Sequence, residues 1–469
     1  MRVGTAAGSG PIYQTKNRDG LMRNTHDLTR GGVAKTLVRF ALPYLLSCFL
    51  QTFYGLTDLF VVGLYNTKQV TAAVSTGSQV THMLTVMIVG LAMGVTVHCA
   101  NAAGAENTAL AKRVFSTAVT FFSVLAIVVT LGTLALAKPI TMVMKTPSQS
   151  VEDTVSYLRI CFLGVPFIIV FNVISALFRG FGDSRRPMCF VGAACFVNIV
   201  FDFVFVGAAG LGAAGAALAT VLGQASSAVF AVISYTRADL GFHLDRSSLR
   251  PDRISLLKLL RVGVPISLQD GLIQIAFTVI IVIANSRGLV FSSSVGIVEK
   301  LIGFMFLVPS SFLSAISAVT AQNLGAGKPR WARRSLYCGI AVTVSWGAIC
   351  AVCGNLFPQQ LVSLFTKDSA VIAAGSLYLM SYSFDCIFAA VHFCFSGYFC
   401  GCGRSVISFI HNIISIVLIR IPGAVAASAL YPDTLYPMGW AAPLGSLLSA
   451  LICIGFFIYY YHRERKNEV

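Results

Sequence analysis

The sequence predicts an all-α polytopic membrane protein: twelve transmembrane helices in two six-helix lobes related by a parallel pseudo-twofold repeat. Three observations carry this. Of 469 residues only 11% are charged while 56% are hydrophobic, and the mean hydropathy is +0.79. Ordinary soluble domains carry about 25% charge, so this composition excludes a soluble enzyme and a disordered chain. Long apolar runs recur along the whole chain, each at least the ~20 residues that cross a bilayer. Blocks of the first half return in order in the second half, about 221 residues on.

The apolar runs fall at 38–63, 70–100, 113–138, 155–178, 188–208, 211–235, 259–286, 292–322, 334–357, 376–400, 406–429 and 440–461. Only helices and closed barrels satisfy the backbone in lipid, and the strict apolar–polar alternation of a barrel is absent. Residues 1–37 carry six bases and two acids with no apolar stretch, and are expected to be a disordered cytoplasmic tail rather than a signal peptide; His26 there has no assigned role. Residues 38–236 form the N-lobe, 237–258 a basic connector, 259–461 the C-lobe and 462–469 a second tail.

The formal net charge is +16, from 34 Lys and Arg against 18 Asp and Glu. In a soluble protein that balance points to nucleic acid. Here it is topological. Segments on the side of the N-terminal tail hold 26 bases and the opposite loops five: Lys68, Lys138, Lys145, Arg287 and Lys367. Basic loops stay in the cytoplasm, so both termini are expected there and the protein in the cell inner (plasma) membrane. The thirteen cysteines lie almost all in apolar runs, and Cys350-x-x-Cys353 has neither a second pair nor a nearby His. They read as small buried side chains, with no disulfide and no metal site.

The repeat is specific. Phe178-Arg-Gly180-Phe-Gly182-Asp-Ser184 returns as Phe399-Cys-Gly401-Cys-Gly403-Arg-Ser405, Tyr157-Leu158 as Tyr378-Leu379, Gly104 as Gly325, and Pro43 as Pro265. Six spans per half return the chain to its starting side, so the halves are parallel, and two such bundles leave a cleft between them as in transporters. Four stretches then carry a family resemblance: Leu56-Thr-Asp58-Leu-Phe-Val-Val-Gly63, Phe178–Ser184, Asn198-Ile-Val-Phe-Asp202 with Gly210–Thr220, and Gln322-Asn-Leu-Gly-Ala-Gly327. In this order they resemble the multidrug and toxic compound extrusion (MATE) family over about residues 36–460, with Asn198 and Asp202 most similar to its DinF-type branch. The resemblance implies two lobes in a V and cation-driven export of organic compounds, and it places cation coupling at Asp58, Asn198 and Asp202.

The residues support that placement independently. An ionisable group inside a span costs about 2.5–3.5 kcal/mol, so each is a functional candidate. Gln51, Tyr54 and Asp58 share one face of the first span; Asn198 and Asp202 lie one turn apart on the fifth. Two carboxylates and an amide oxygen can hold a proton or Na⁺. In the second lobe the equivalents of Asp58 and Asp202 are Ile280 and Gly423, and that lobe instead carries Asp270 with Gln274, Glu299 beside Lys300, Asp385 with His392, His411 and Arg420. Asp270, Glu299, Asp385 and Arg420 are candidates for a second ion or substrate site, and Gln51, Tyr54 and Gln274 for the substrate cleft. Phe53, Phe162, Phe181 and Phe277 could line that cleft or pack in the core. Thr71, Ser75, Ser78, His82 and Thr85 form a polar stripe on the second span, read with His98 as interhelical packing.

The expected function is secondary active, H⁺- or Na⁺-coupled antiport of a small organic, cationic or neutral compound by a monomer in the bilayer. No cofactor and no nucleic-acid partner are expected. The alternative is a flippase for a lipid-linked head group, which would need cationic residues in its cleft. No nucleotide, metalloprotease or serine-hydrolase motif is present, so no enzyme activity is expected.

Overall fold

The computed structural model describes residues 27–144, 146–244 and 249–467. His26, Lys145 and Arg246 lie outside them. Among the described residues ten helices are long and apolar enough to span a membrane, and two bent pairs, each taken as one span, bring the number to twelve. They are α1 (Val33–Tyr65), α2 (Lys68–Gly104), α3 (Thr108–Val143), α4 (Val151–Leu163 and Val165–Gly180), α5 (Arg185–Ala208) and α6 (Gly212–Arg237). After the connector come α7 (Arg253–Asn285), α8 (Leu289–Gly325), α9 (Pro329–Leu356), α10 (Ser369–Tyr382 and Asp385–Gly401), α11 (Val406–Leu430) and α12 (Ala441–Asn467).

Most helices extend past the apolar runs, because polar caps set their ends. Asn107 accepts from the Leu110 amide at 2.9 Å, Asp252 from Ser255 at 2.9 Å and Asp368 from Ala370 at 2.9 Å. Three boundaries therefore move. Helix α1 starts at Val33, inside the expected tail, and before it Leu28 and Thr29 are buried, Leu28 in an apolar cluster. The connector ends at Asp252, six residues early, and α12 runs on into the expected C-terminal tail.

The two halves repeat in detail. Helix α4 bends by 44° after Leu163 and α10 by 45° after Tyr382. Gly182 (φ 81°) and Gly403 (φ 71°) end α4 and α10 in the same left-handed turn. The Asp183 amide donates to the Phe178 carbonyl at 2.9 Å, and the Arg404 amide to Phe399 at 2.8 Å. Glycine occupies both positions because a Cβ disfavours positive φ. A π-helical stretch interrupts α5 at Phe203–Ala208 and α11 at Ile416–Arg420.

The lobes meet near the face that carries both termini. There α2 packs on α7 and on the second half of α8, and α1 packs on that same half of α8. Gly104 and Gly325, equivalent in the repeat, close this contact reciprocally. A Cβ on Gly104 would lie 1.8 Å from the Gln322 carbonyl oxygen, and one on Gly325 2.1 Å from that of Asn101. The first half of α8, Leu289–Met305, packs instead on α7, α10 and the short helix Pro358–Ser363 of its own lobe. Among the described residues all cysteines are free.

Candidate functional site

Asp58, Asn198 and Asp202 come together in the N-lobe, in the half of the spans farther from the termini. Their relative exposures are 4%, 2% and 0%. The Asp58 carboxylate, on α1, faces Asp202 and Asn198 on α5 and Thr220 on α6. The Thr220 hydroxyl donates to Asp58 Oδ2 at 3.2 Å. Asp58 Oδ1, both carboxylate oxygens of Asp202 and both amide atoms of Asn198 are buried without a protein hydrogen-bond partner. Buried polar atoms are normally satisfied, and two ionised carboxylates side by side have no donor to share. This donor set fits a group that brings positive charge: a proton between the acids, or a small hard cation held by carboxylate, amide and hydroxyl oxygens.

Thr220 and Gln224 complete the pocket and carried no role in the sequence reading. Gln224 Nε2 donates to the Tyr54 hydroxyl at 3.3 Å, one turn from Asp58. The available signal was their i, i+4 spacing on α6, directly after the small-residue run that ends at Thr220. Tyr54 is half-buried beside the site, whereas Gln51 is exposed and outside it.

The second-lobe candidates separate into two places. Arg420 and Asp385 form a buried ion pair at 3.0 Å, and Arg420 also approaches the Tyr382 hydroxyl at 3.4 Å. Its guanidinium lies 5.3 Å from the centre of the Phe277 ring. Glu299 faces Tyr378 and Arg420. Lys300, next to it in sequence, is exposed, since adjacent helix residues point apart. The His392 ring packs 5.5 Å from that of His411, which hydrogen-bonds Ser396 at 2.9 Å. Asp270 is elsewhere, on α7 where a Cβ on Gly90 of α2 would meet its Oδ2 at 2.9 Å. Gln274 is half-buried one turn on.

Of the aromatic candidates, Phe162 and Phe181 belong to the N-lobe core, Phe53 is exposed and stacks near Phe49, and Phe277 carries Arg420. The polar stripe of α2 divides. Thr71 and Ser75 line a cavity of about 510 Å³ with Gly63, Asn66, Lys68 and Ala72, and His82 is exposed. His98 instead hydrogen-bonds the Lys258 carbonyl at 3.0 Å across the lobe contact, an interhelical role.

Comparison with known proteins agrees with this architecture. The MatE family profile matches residues 43–204 and again 265–426, two copies at the spacing of the internal repeat. Among relatives, the probable multidrug resistance protein YpnP of Bacillus subtilis is 26% identical over 446 residues, covering 95% of this chain and 98% of its own. The multidrug export protein MepA of Staphylococcus aureus is 24% identical over 78% of this chain and 81% of its own. Among solved structures, a MATE protein in complex with MaL6 superposes with a TM-score of 0.88 at 22% identity, over 94% of this chain and 99% of that one. A MOP-superfamily transporter from Pyrococcus furiosus, described as having a binding pocket of reversed polarity, gives 0.86 at 22% identity, over 93% and 97%.

Proposed function

The chain belongs to the MatE family of multidrug efflux transporters, and from that premise we propose that it is a cation-coupled antiporter whose coupling ion binds at Asp58, Asn198, Asp202 and Thr220. The observation that carries this is the pair of buried carboxylates facing each other across α1 and α5 with unpaired oxygens and no basic partner.

The mechanism follows from where the groups sit. Asp58 is on α1, whereas Asp202 and Asn198 are on α5 and Thr220 on α6. With both acids charged, repulsion in a poorly hydrated site pushes α1 away from α5. A proton or Na⁺ between them removes that repulsion and draws α1 onto α5 and α6. Since α1 also packs on α8 of the other lobe near the termini face, its movement transmits ion occupancy to the lobe contact. A ligand shifts such an equilibrium only by its differential affinity for the two states. One pH unit supplies about 1.4 kcal/mol, and one charge crossing about 100 mV supplies about 2.3 kcal/mol. Exchange of one proton for one monovalent cation moves no net charge and is driven by concentration alone.

The substrate is an organic cation or neutral amphipath that enters from the cytoplasm or inner leaflet, and the termini lie in the cytoplasm of a plasma-membrane protein. A flippase for a phosphate head group gains no support from Arg420, because Asp385 neutralises it at 3.0 Å. Substrate efflux from proteoliposomes under separately imposed pH and Na⁺ gradients tests the proposal. Efflux driven by one of them supports it; efflux indifferent to both sinks it.

A further inference from the structure

The segment that enters α1 crosses to the other lobe. Leu28 is buried among Leu37, Phe40, Phe312 and Ile316, so an N-terminal residue is part of the C-lobe's apolar cluster. Its amide donates to Gln322 Oε1 at 2.9 Å and its carbonyl accepts from Asn323 Nδ2 at 3.2 Å, both bonds buried. Lys328 Nζ donates to the Thr29 carbonyl at 2.9 Å and to its hydroxyl at 3.2 Å. Asp27 shapes the segment for this docking: Oδ1 accepts from the Thr29 amide at 2.8 Å and hydroxyl at 2.7 Å, and Oδ2 pairs with Arg30 at 2.9 Å.

The entry to α7, equivalent in the repeat, crosses the opposite way with different chemistry. The Leu249 carbonyl accepts from the Thr120 hydroxyl at 2.8 Å, and the Asp252 amide donates to the Thr117 hydroxyl at 3.1 Å. Both hydroxyls belong to α3 of the N-lobe. Leu28 and Leu249 are 221 residues apart, the repeat offset. The two dockings use unrelated side chains on non-equivalent elements, an amide pair at the end of α8 and a lysine just after it in one and two threonines of α3 in the other, yet in both the segment that enters a lobe's first helix is tied to the opposite lobe. Packing within one lobe would not require either crossing.

We propose that Asp27–Gly31 and Leu249–Asp252 are paired interlobe latches, which hold the termini face closed in the state seen here and detach when that face opens. The inference rests on the alternating-access reading above, but its test needs neither substrate nor ion gradient. Each latch adds to the Gly104–Gly325 contact, where the lobe backbones approach too closely to admit a Cβ. A buried hydrogen bond contributes about 0.5–1.5 kcal/mol, and one to a charged group about 1.5–3 kcal/mol, so either latch suffices to bias a two-state equilibrium.

The experiment is hydrogen exchange read by mass spectrometry on the full-length protein in lipid nanodiscs. In wild type, peptides covering 27–32 and 249–252 should be protected. In Gln322→Ala with Lys328→Ala, exchange in 27–32 should rise at least tenfold, and exchange in the lobe-contact peptides 97–105 and 319–327 at least threefold. Thr117→Val with Thr120→Val should free 249–252 and loosen the same lobe-contact peptides. Should the first variant not fold, Thr29→Val replaces only the hydroxyl and is expected to give a twofold to threefold change in the same direction. Wild-type exchange of 27–32 at random-coil rates would overturn the proposal. So would variants that release a latch while the lobe-contact peptides keep their wild-type exchange. Absence of gradient-driven efflux from wild-type proteoliposomes, with these exchange results intact, would count against the coupling site instead.

Discussion

Gly104→Ala should force the lobes apart at the termini face. The added Cβ would sit 1.8 Å from the Gln322 carbonyl oxygen and 3.1 Å from the Ala326 amide nitrogen. An unstrained carbon–oxygen contact is about 3.3 Å, so the ends of α2 and α8 must part by about 1.5 Å. Both neighbours are backbone, so no side chain can rotate out of the way. Overpacking of this kind costs about 1–3 kcal/mol, which is a 5- to 150-fold shift between two states if only the closed one contains the contact. Gly325→Ala acts on the same contact from the other side, with its Cβ 2.1 Å from the Asn101 carbonyl oxygen. The two substitutions should therefore be clearly non-additive. Gly132→Ala on α3 is the control, because nothing lies within 4 Å of that Cβ. Hydrogen exchange in 97–105 and 319–327 reports the separation, and thermal unfolding reports the cost. Wild-type exchange and stability in Gly104→Ala would refute the reasoning, and so would an equal effect from Gly132→Ala.

Asp202→Asn should abolish gradient-driven efflux while leaving the protein inserted and able to bind substrate, since it removes charge and little volume; near wild-type efflux in folded protein would refute the coupling role. Arg420→Leu should destabilise by about 3–5 kcal/mol because Asp385 is left buried and unpaired, and adding Asp385→Asn should restore part of that loss in thermal unfolding. Gly403→Ala should cost about 1–2 kcal/mol from its positive φ alone, since its Cβ meets nothing within 4 Å. Glu106→Gly should not destabilise, because Glu106 holds φ 53° where its repeat equivalent is Gly327. A cysteine placed at Asp433 should react with an impermeant reagent from outside intact cells and one at Asp239 should not; the reverse would invert the proposed orientation.

Much of this architecture was legible because bilayer physics writes in long, uniform runs. Twelve apolar stretches found their twelve helices or bent pairs, and the 221-residue echo returned as matched bends and matched glycine turns. Asn198 and Asp202 were legible as one helical face. The helix ends were not, because backbone hydrogen bonding continues past the last apolar residue until a cap such as Asn107 or Asp252 stops it. Nor was the company each acid keeps. Spacing along one helix says which residues share a face but not which other helix that face meets. Asp385 was seven residues from His392 in sequence, yet its partner is Arg420, 35 residues away on α11. Asp270 looked like a member of that set and belongs to the lobe contact. The docking of Leu28 had no sequence signature at all, since a single apolar residue in a polar tail is unremarkable until the opposite lobe is beside it.

The divergence of the two lobes bears directly on which of them carries the ion. Duplication preserved what the backbone requires: a break in α4 and α10, a π-helical stretch in α5 and α11, and positive φ at Gly182 and Gly403. It did not preserve the chemistry inside. Where the N-lobe has Asp58 and Asp202, the C-lobe has Ile280 and Gly423. Where the C-lobe buries acids, it also supplies a fixed cation, the Arg420 guanidinium, within 3.0 Å of Asp385 and facing Glu299. A tethered guanidinium keeps its charge across the physiological range and cannot leave. In this structure it neutralises Asp385 through one oxygen, Oδ2, while Asp385 Oδ1 and Glu299 Oε1 stay without a hydrogen-bond partner, so what sets this cluster apart from the N-lobe pair is its fixed positive charge. The N-lobe pair lacks any such tether, and its unpaired oxygens can be neutralised only by something that arrives from solvent. A gradient does work only through a charge that enters and departs, and for that reason the proposed coupling ion is assigned to the N-lobe pair rather than to the Arg420 cluster.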